Sequence, residues 1–290
     1  MASNVRAIDL FCGAGGTSRG LVQAGVDVVA GFDMWDLAGS VYMDNFPDAW
    51  FYQGKLEDFG VRKLASDLGK INLITASPEC TNHSPAKGNK PRCEKSKETA
   101  FQVIRYAKAF KPRWLVIENV VNMRKWSKYE EFIYNLGPGG LGYNIKEHVL
   151  SASDFGVPQS RRRLFILCDM EQSPEIRLPS NRKVRNAANI IDSNDGYKFT
   201  PLITKRRATA TLERAERAIN HVGNKEEFLL VYYGSDHAGG WQRLDRPLRT
   251  ITTVDRFALV KPSKNGHMIR MLQIPELKRA MGMKGHKFNY

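Results

Sequence analysis

Cys80 ends the apolar run Ile71-Asn72-Leu73-Ile74-Thr75-Ala76-Ser77 through the turn Pro78-Glu79, and the residues after it (Thr81, Asn82, His83, Ser84, then Lys87, Lys90 and Arg92) are polar and basic. A thiol attacks as the thiolate and only where it can be reached, and a polar, positively charged setting favours both. A lone free cysteine is more often buried packing, so the other strand ends decide the matter. Asp33 ends the run Val26 to Phe32, Glu118 follows Trp114-Leu115-Val116-Ile117, and Arg161-Arg162-Arg163 feeds the strand Leu164 to Leu167. A nucleophile, carboxylates and guanidiniums able to hold an anion or a carbonyl oxygen are the ingredients of covalent catalysis.

Those residues need a scaffold that brings strand ends together. Val5 to Phe11 reads as a buried strand, Gly13-Ala14-Gly15-Gly16 as a tight turn, Thr17 to Ala24 as a helix closed by Gly25, and Val26 to Phe32 as the next strand. This is a β-α-β unit of a doubly wound α/β sheet, with a glycine-rich first turn and an acid about twenty residues later, placed to accept from ribose hydroxyls. The G-x-G-x-x-G form fails because Ser18 occupies its last position. A nucleoside ligand without phosphates, such as S-adenosylmethionine, therefore fits better than a dinucleotide. Further alternation follows, with helices over Ala38 to Asn45 and Thr99 to Phe110. Ligands of open α/β sheets bind at the carboxyl ends of strands, so Phe11, Asp33, Cys80 and Glu118 are expected to line one crevice.

The net charge of +14 over 290 residues points to a polyanionic partner, nucleic acid before membrane. No apolar run approaches the ~20 residues that cross a bilayer, and Met1 to Leu10 lacks a signal-peptide core. The expectation is a soluble, cytoplasmic protein of a bacterium or phage, with no membrane association. The cysteines Cys12, Cys80, Cys93 and Cys168 form no C-x-x-C pair, which favours reduced thiols over a disulfide framework or zinc ribbon. A metal site from Cys80, His83 and Cys93 lacks a fourth ligand, and none is expected.

From about Pro179 the periodicity loosens. Between Pro179 and Lys264 there are 16 Lys and Arg against 9 Asp and Glu, a net +7, so half of the whole charge sits in under a third of the chain. The strand-like Phe228 to Tyr233, the glycine-rich loop Gly234 to Trp241 and the run Arg246 to Thr253 suggest a small β-rich module.

The ordered set Asp9-Leu10-Phe11-x-Gly13-x-Gly15-Gly16, Pro78-x-Cys80, Glu118-Asn119-Val120, Gln159-x-Arg161-x-Arg163 and Arg246-Pro247-x-x-Thr250 resembles the DNA (cytosine-5) methyltransferases. The resemblance covers most of the chain. It implies a Rossmann-like S-adenosylmethionine-dependent methyltransferase sheet over 1–178, a target-recognition domain over 179–260, and a return segment over 261–290. It also implies methyl transfer from S-adenosylmethionine, leaving S-adenosylhomocysteine, to C5 of a cytosine flipped out of duplex DNA. Cys80 would be the nucleophile and Glu118 the partner of ring N3. Arg163 would contact O2, with Arg161 as its neighbour or on a phosphate. Phe11, Gly13, Gly15, Gly16, Asp33, Met34 and Pro78 would hold the cofactor. DNA contacts would come from Ser84 and Lys87 in a lid over Thr81 to Lys97, and from Tyr233, Ser235, His237, Trp241, Arg243 and Thr250. Partners would be double-stranded DNA and a cognate restriction endonuclease, with a monomer on DNA. Two alternatives stand beside this reading: a tRNA cytosine-5 methyltransferase and a catalytically silent DNA-binding relative.

Three features depart from the family pattern. Glu79 stands where the family usually has a second proline, and a carboxylate beside the nucleophile raises a thiol pKa unless a cation offsets it. Lys55 follows Gly54 where many relatives have an acid that accepts from the adenine amine. Ile269 to Met283 resembles the start of the last family motif, whose Gly-Asn turn and closing helix do not follow by Tyr290. A truncated chain or a second, complementing chain is the corresponding expectation.

Overall fold

The computed structural model describes residues 5–80, 82–83, 93–180, 184–192, 196–233, 239–252, 254, 256–283 and 285–287. It divides into two compact units: Met1–Leu150 with Arg163–Arg177 and Gly285–Tyr290, and Ser151–Arg162 with Leu178–Lys284.

The first unit runs β1 (Arg6–Leu10), α1 (Gly16–Gln23), β2 (Asp27–Asp33), α2 (Asp36–Asn45), β3 (Trp50–Gln53), α3 (Val61–Leu68), β4 (Leu73–Ala76), α4 (Glu94–Lys97), α5 (Gln102–Phe110), β5 (Trp114–Asn119), α6 (Tyr129–Leu136) and β6 (Asn144–Ser151). After the short β7 (Gln159–Ser160), β8 (Arg162–Asp169) completes the sheet. Among the described residues its order is β3-β2-β1-β4-β5-β8-β6, parallel from β3 to β5, with β8 antiparallel to β5. Strands covered on both faces read as unbroken apolar runs, and β4 is buried at every position. Ile8, Leu10, Phe32, Ile74, Leu115 and Ile117 form the centre of the core. Phe32 stacks on Tyr52 at 4.7 Å and meets Phe59 and Tyr106 edge-on. The chain winds outward from β1 in both directions, so β1 and β4 flank the point where strand order reverses, the usual ligand crevice of a doubly wound sheet.

The second unit contains β9 (Thr200–Pro201), α7 (Thr209–Val222), β10 (Phe228–Val231), β11 (Trp241–Arg243), β12 (Leu248–Arg249), β13 (Phe257–Ser263), β14 (Gly266–Met271) and α8 (Ile274–Ala280). Five strands pair antiparallel in the order β11-β10-β13-β14-β9, and β12 pairs in parallel with β7. Alternate residues of β10 enter different cores. Leu229 and Val231 pack with Ala280 of α8, while Phe228 and Leu230 pack with Ala215 and Ala218 of α7. That period of two covers both faces of the sheet.

The contact division departs from the sequence-based boundaries at two places. Residues 261–284 group with the second unit because β13 continues to Ser263 and pairs along its length with β14, and α8 packs on the same sheet. Residues 151–162 join it through the β7–β12 pairing. The helix α7 is an element that the loosened periodicity does not reveal. Among the described residues no helix is long and apolar enough to cross a membrane.

Candidate active site

The register aligns the carboxyl edge of the sheet: Leu10 stands beside Phe32 and Ala76, and Ala76 beside Ile117. Beyond Ala76 the chain turns through Ser77, whose N–H still donates to Leu10 O at 3.1 Å, then the buried Pro78 and the half-buried Glu79 and Cys80. Asn119 at the end of β5 donates from Nδ2 to the Pro78 carbonyl at 3.1 Å. Two neighbouring strand ends are thereby joined at the turn that carries the thiol.

Glu118 and Arg163 meet at this edge. Arg163 Nε lies 2.8 Å from Glu118 Oε1, with the side chains 13% and 23% exposed. Antiparallel pairing produces the meeting, because β8 begins where β5 ends, Asn119 lying opposite Leu164 and Glu118 opposite Phe165. Arg161 belongs to the second unit, where its carbonyl accepts the Ala152 N–H at 3.0 Å.

The glycine-rich turn follows Phe11, a non-glycine residue with φ of 56°, which is a strained conformation of the kind that collects at functional sites. Gly13 also has a positive φ, 51°, and nothing lies within 4 Å of where a Cβ would stand. Gly15 differs: a Cβ there would run into the Phe46 ring, so this glycine serves packing. Asp33 accepts from the Gly13 N–H through Oδ2 at 2.8 Å and from the Trp35 N–H through Oδ1 at 2.9 Å. Each carboxylate oxygen retains a lone pair for a further donor. Gly16 opens α1, Met34 is 64% exposed, and Lys55 is exposed beside Gly54. An open backbone turn with a neighbouring carboxylate fits a nucleoside cofactor bearing ribose hydroxyls.

Beneath the turn lies a polar network that sequence reading misses. Asp9 is fully buried in the middle of the apolar strand β1, accepting from Ser18 N and Oγ at 3.1 and 2.7 Å and from Thr75 Oγ1 at 2.9 Å. Ser18 Oγ also meets Tyr42 OH at 3.1 Å. Burial pushes the Asp9 carboxyl up to about 6, against the opposing pull of its hydrogen bonds. The network ties β1 to α1, β4 and α2. The last described residues pack here too, with His286 Nε2 2.8 Å from Ala14 O, and Lys287 exchanging hydrogen bonds with Asn45.

The cysteines divide by environment. Burial holds the Cys12 thiol far above its ordinary range, and Asp9 and Asp33 push it further in the same direction. Burial pushes Cys168 up to about 12. Neither forms a thiolate near neutral pH, whereas Cys80 is half-buried at the strand-end turn and Cys93 is exposed.

In the second unit, Trp241, Arg243, Arg246 and Arg249 line a groove of about 440 Å³ together with Ser160, Gln242 and Pro247. Thr250 lies next to it in sequence and donates from Oγ1 to Ser160 O at 3.2 Å. Arg243 is held by Asp245 at 2.8 Å. Tyr233 stands edge-on to Phe257 at 5.7 Å and packs against the core, and burial pushes its hydroxyl up to about 12. Arg246 and Arg249 add cationic groups that the sequence reading does not single out as contacts. Ser84, Lys87, Ser235 and His237 lie outside the described residues.

The sheet order, the glycine turn and the strand-end residues define a Rossmann-like methyltransferase fold. The family model for C-5 cytosine-specific DNA methylases matches residues 5–286, and the chain belongs to that family. It is 28% identical over 219 residues to the Type II methyltransferase M.AgeI of Thalassovita gelatinovora, covering 72% of this chain and 51% of the relative. It is 31% identical over 163 residues to the Type II methyltransferase M.HgiDI of Herpetosiphon aurantiacus, covering 56% and 52%. The chain thus spans about half the length of these curated relatives. Among solved structures, a protein encoded within an E. coli prophage shares the fold at a TM-score of 0.63 and 18% identity, covering 96% of this chain and 88% of that one.

Proposed function

We propose that the chain is a DNA (cytosine-5) methyltransferase acting on a cytosine flipped out of duplex DNA. The observation that carries this reading is the Glu118–Arg163 pair at the strand edge whose neighbouring turn, fastened by Asn119, presents Cys80. Carbon 5 of cytosine is too weak a nucleophile to accept a methyl group unaided. Addition of the Cys80 thiolate at C6 makes the ring an enamine. Glu118 holds the proton at N3 so that charge does not build up during attack, and Arg163 orients Glu118 and hydrogen-bonds O2 of the base. S-adenosylmethionine, when bound, supplies an electrophilic methyl group to C5. Loss of the C5 proton then expels the Cys80 thiolate and restores the aromatic ring.

Asp33 and the backbone of Gly13 are the groups suited to hold that cofactor, with Phe11, Met34 and Pro78 as apolar contacts. The target base leaves the stack at a cost of roughly a few kcal/mol. The groove with Arg243, Arg246 and Arg249 is suited to phosphates and groove edges. The Type II names of the relatives support a restriction endonuclease as functional partner.

The test is tritiated methyl transfer from S-adenosylmethionine to mixed genomic DNA and to tRNA, with Cys80→Ser alongside. Cys80-dependent label in DNA is expected. Label in tRNA alone would replace the substrate, and failure to label either would remove the enzymatic reading.

A further inference from the structure

We infer that Glu79 and Asn82 are positioning residues that hold Cys80 in its attacking conformation, a role that rests on reading Cys80 as the nucleophile. Asn82 is buried, with 5% exposure, and uses both ends of its amide. Its Nδ2 donates to Glu79 Oε2 at 2.8 Å, and its Oδ1 accepts the Cys93 N–H at 2.9 Å. Reversing the amide would set an oxygen against a carboxylate and an NH₂ against an N–H, so the two partners fix its orientation. One side chain thus clasps the residue before the nucleophile to a point thirteen residues beyond it.

Neighbouring contacts restrain the same turn. The His83 N–H donates to Cys80 O at 3.0 Å. The His83 ring, buried, stands edge-on to Trp126 at 5.6 Å. The Trp126 indole N–H in turn donates to Glu94 beside Cys93. Trp126 therefore touches the neighbours of Asn82 and of Cys93, the middle and the far end of the clasp.

Glu79 occupies the place of the family's second proline. Proline stiffens a turn by locking φ. A carboxylate has no such effect by itself, and the Glu79–Asn82 hydrogen bond supplies the restraint through a buried amide that is costly to leave unpaired. The carboxylate that looked like a liability beside the thiol is engaged as an acceptor.

The test uses Asn82→Ala, Asn82→Asp, Glu79→Gln and the double variant Glu79→Gln/Asn82→Asp. Two readouts are followed. One is the iodoacetamide alkylation rate of Cys80, resolved from the other cysteines by peptide mass spectrometry without cofactor or DNA. The other is the single-turnover methylation rate at saturating DNA, with thermal melting to confirm folding. Asn82→Ala breaks the clasp without adding charge, and Asn82→Asp opposes two carboxylates. Both are expected to slow single turnover by about tenfold or more, to change Cys80 alkylation, and to leave KM for DNA nearly unchanged. Glu79→Gln keeps an acceptor oxygen and is expected near the parent.

The double variant reverses donor and acceptor while retaining one carboxylate, and is expected to recover to within about threefold of the parent rate. Parent-like behaviour of Asn82→Ala, or a double variant no better than Asn82→Asp, would overturn the clasp. Absence of methylation in the parent would remove the nucleophile reading instead, and the alkylation rates would still decide whether the clasp exists.

Discussion

Asn119 donates from Nδ2 to the Pro78 carbonyl at 3.1 Å while its Oδ1 accepts the Val120 N–H at 2.8 Å. At 1% exposure, neither hydrogen bond has water as a ready substitute. The last residue of β5 therefore sets the height of the turn that bears Cys80, two residues past Pro78. Asn119→Asp removes the donor and turns a carboxylate toward that carbonyl. The expected loss of stability is about 1–3 kcal/mol, read by urea unfolding, with a slower single-turnover rate and unaltered DNA affinity.

Glu118 and Arg163 are hydrogen-bonded across the antiparallel pair β5–β8. Glu118→Gln keeps an oxygen for Arg163 but loses the group that can hold and release a proton at N3. Methyl transfer should fall by about 10²–10⁴-fold while DNA binding holds. Arg163→Lys keeps the charge but loses the rigid planar donor set, so an intermediate loss is expected. Single-turnover kinetics with a gel-shift titration separates these effects from weaker binding.

What can be read from the chain follows from which interactions are local. Strands buried on both faces leave unbroken apolar runs, so the residues that end them, Asp33, Cys80 and Glu118, stand out in the linear sequence. The role of Asp9 does not stand out. It sits within such a run, and its partners Ser18 and Thr75 are 9 and 66 residues away, a distance no local pattern spans. Helix α7 is hidden because its buried positions are Thr211, Ala215 and Ala218, small side chains that give a faint apolar stripe. The far limit of the second unit escapes a composition-based boundary because the partner of β13 is the next strand, beyond the point where composition changes. Gly13 and Gly15 look alike in sequence, and only their surroundings distinguish open space from the Phe46 ring.

That distinction has a measurable consequence. Gly13→Ala strains a positive φ, costing about 1 kcal/mol, and places a methyl group in the open space before the turn. The variant should fold and lose cofactor affinity by isothermal titration with S-adenosylhomocysteine. Gly15→Ala meets the Phe46 ring and must move it or the turn. It should lose about 1–3 kcal/mol of stability, or more with its own positive φ added, and show a lower melting temperature even without ligand.

Asp9 makes stability depend on pH in a direction opposite to a salt-bridged carboxylate. Its folded-state pKa is raised from 3.8 to about 6, so the folded chain binds its proton more tightly than the unfolded chain does. Stability from this group is fully present below about pH 4, is lost as pH rises toward and through 6, and is absent above it. The upward shift corresponds to about 3 kcal/mol between those limits. Asn does not titrate, and at pH 5 the protonated carboxyl offers what an amide offers, one acceptor oxygen for Ser18 N and Oγ and one donor edge toward Thr75 Oγ1, so Asp9→Asn is expected close to the parent there. The parent loses its proton-linked stability as pH rises to 7.5 and the variant does not, so the variant is expected to become the more stable of the two. Urea unfolding of both proteins at the two pH values checks this, since titration of the other carboxylates cancels in the difference. A parent that gains on the variant as pH rises would show that Asp9 is held as a stabilised anion and that its hydrogen bonds outweigh its burial.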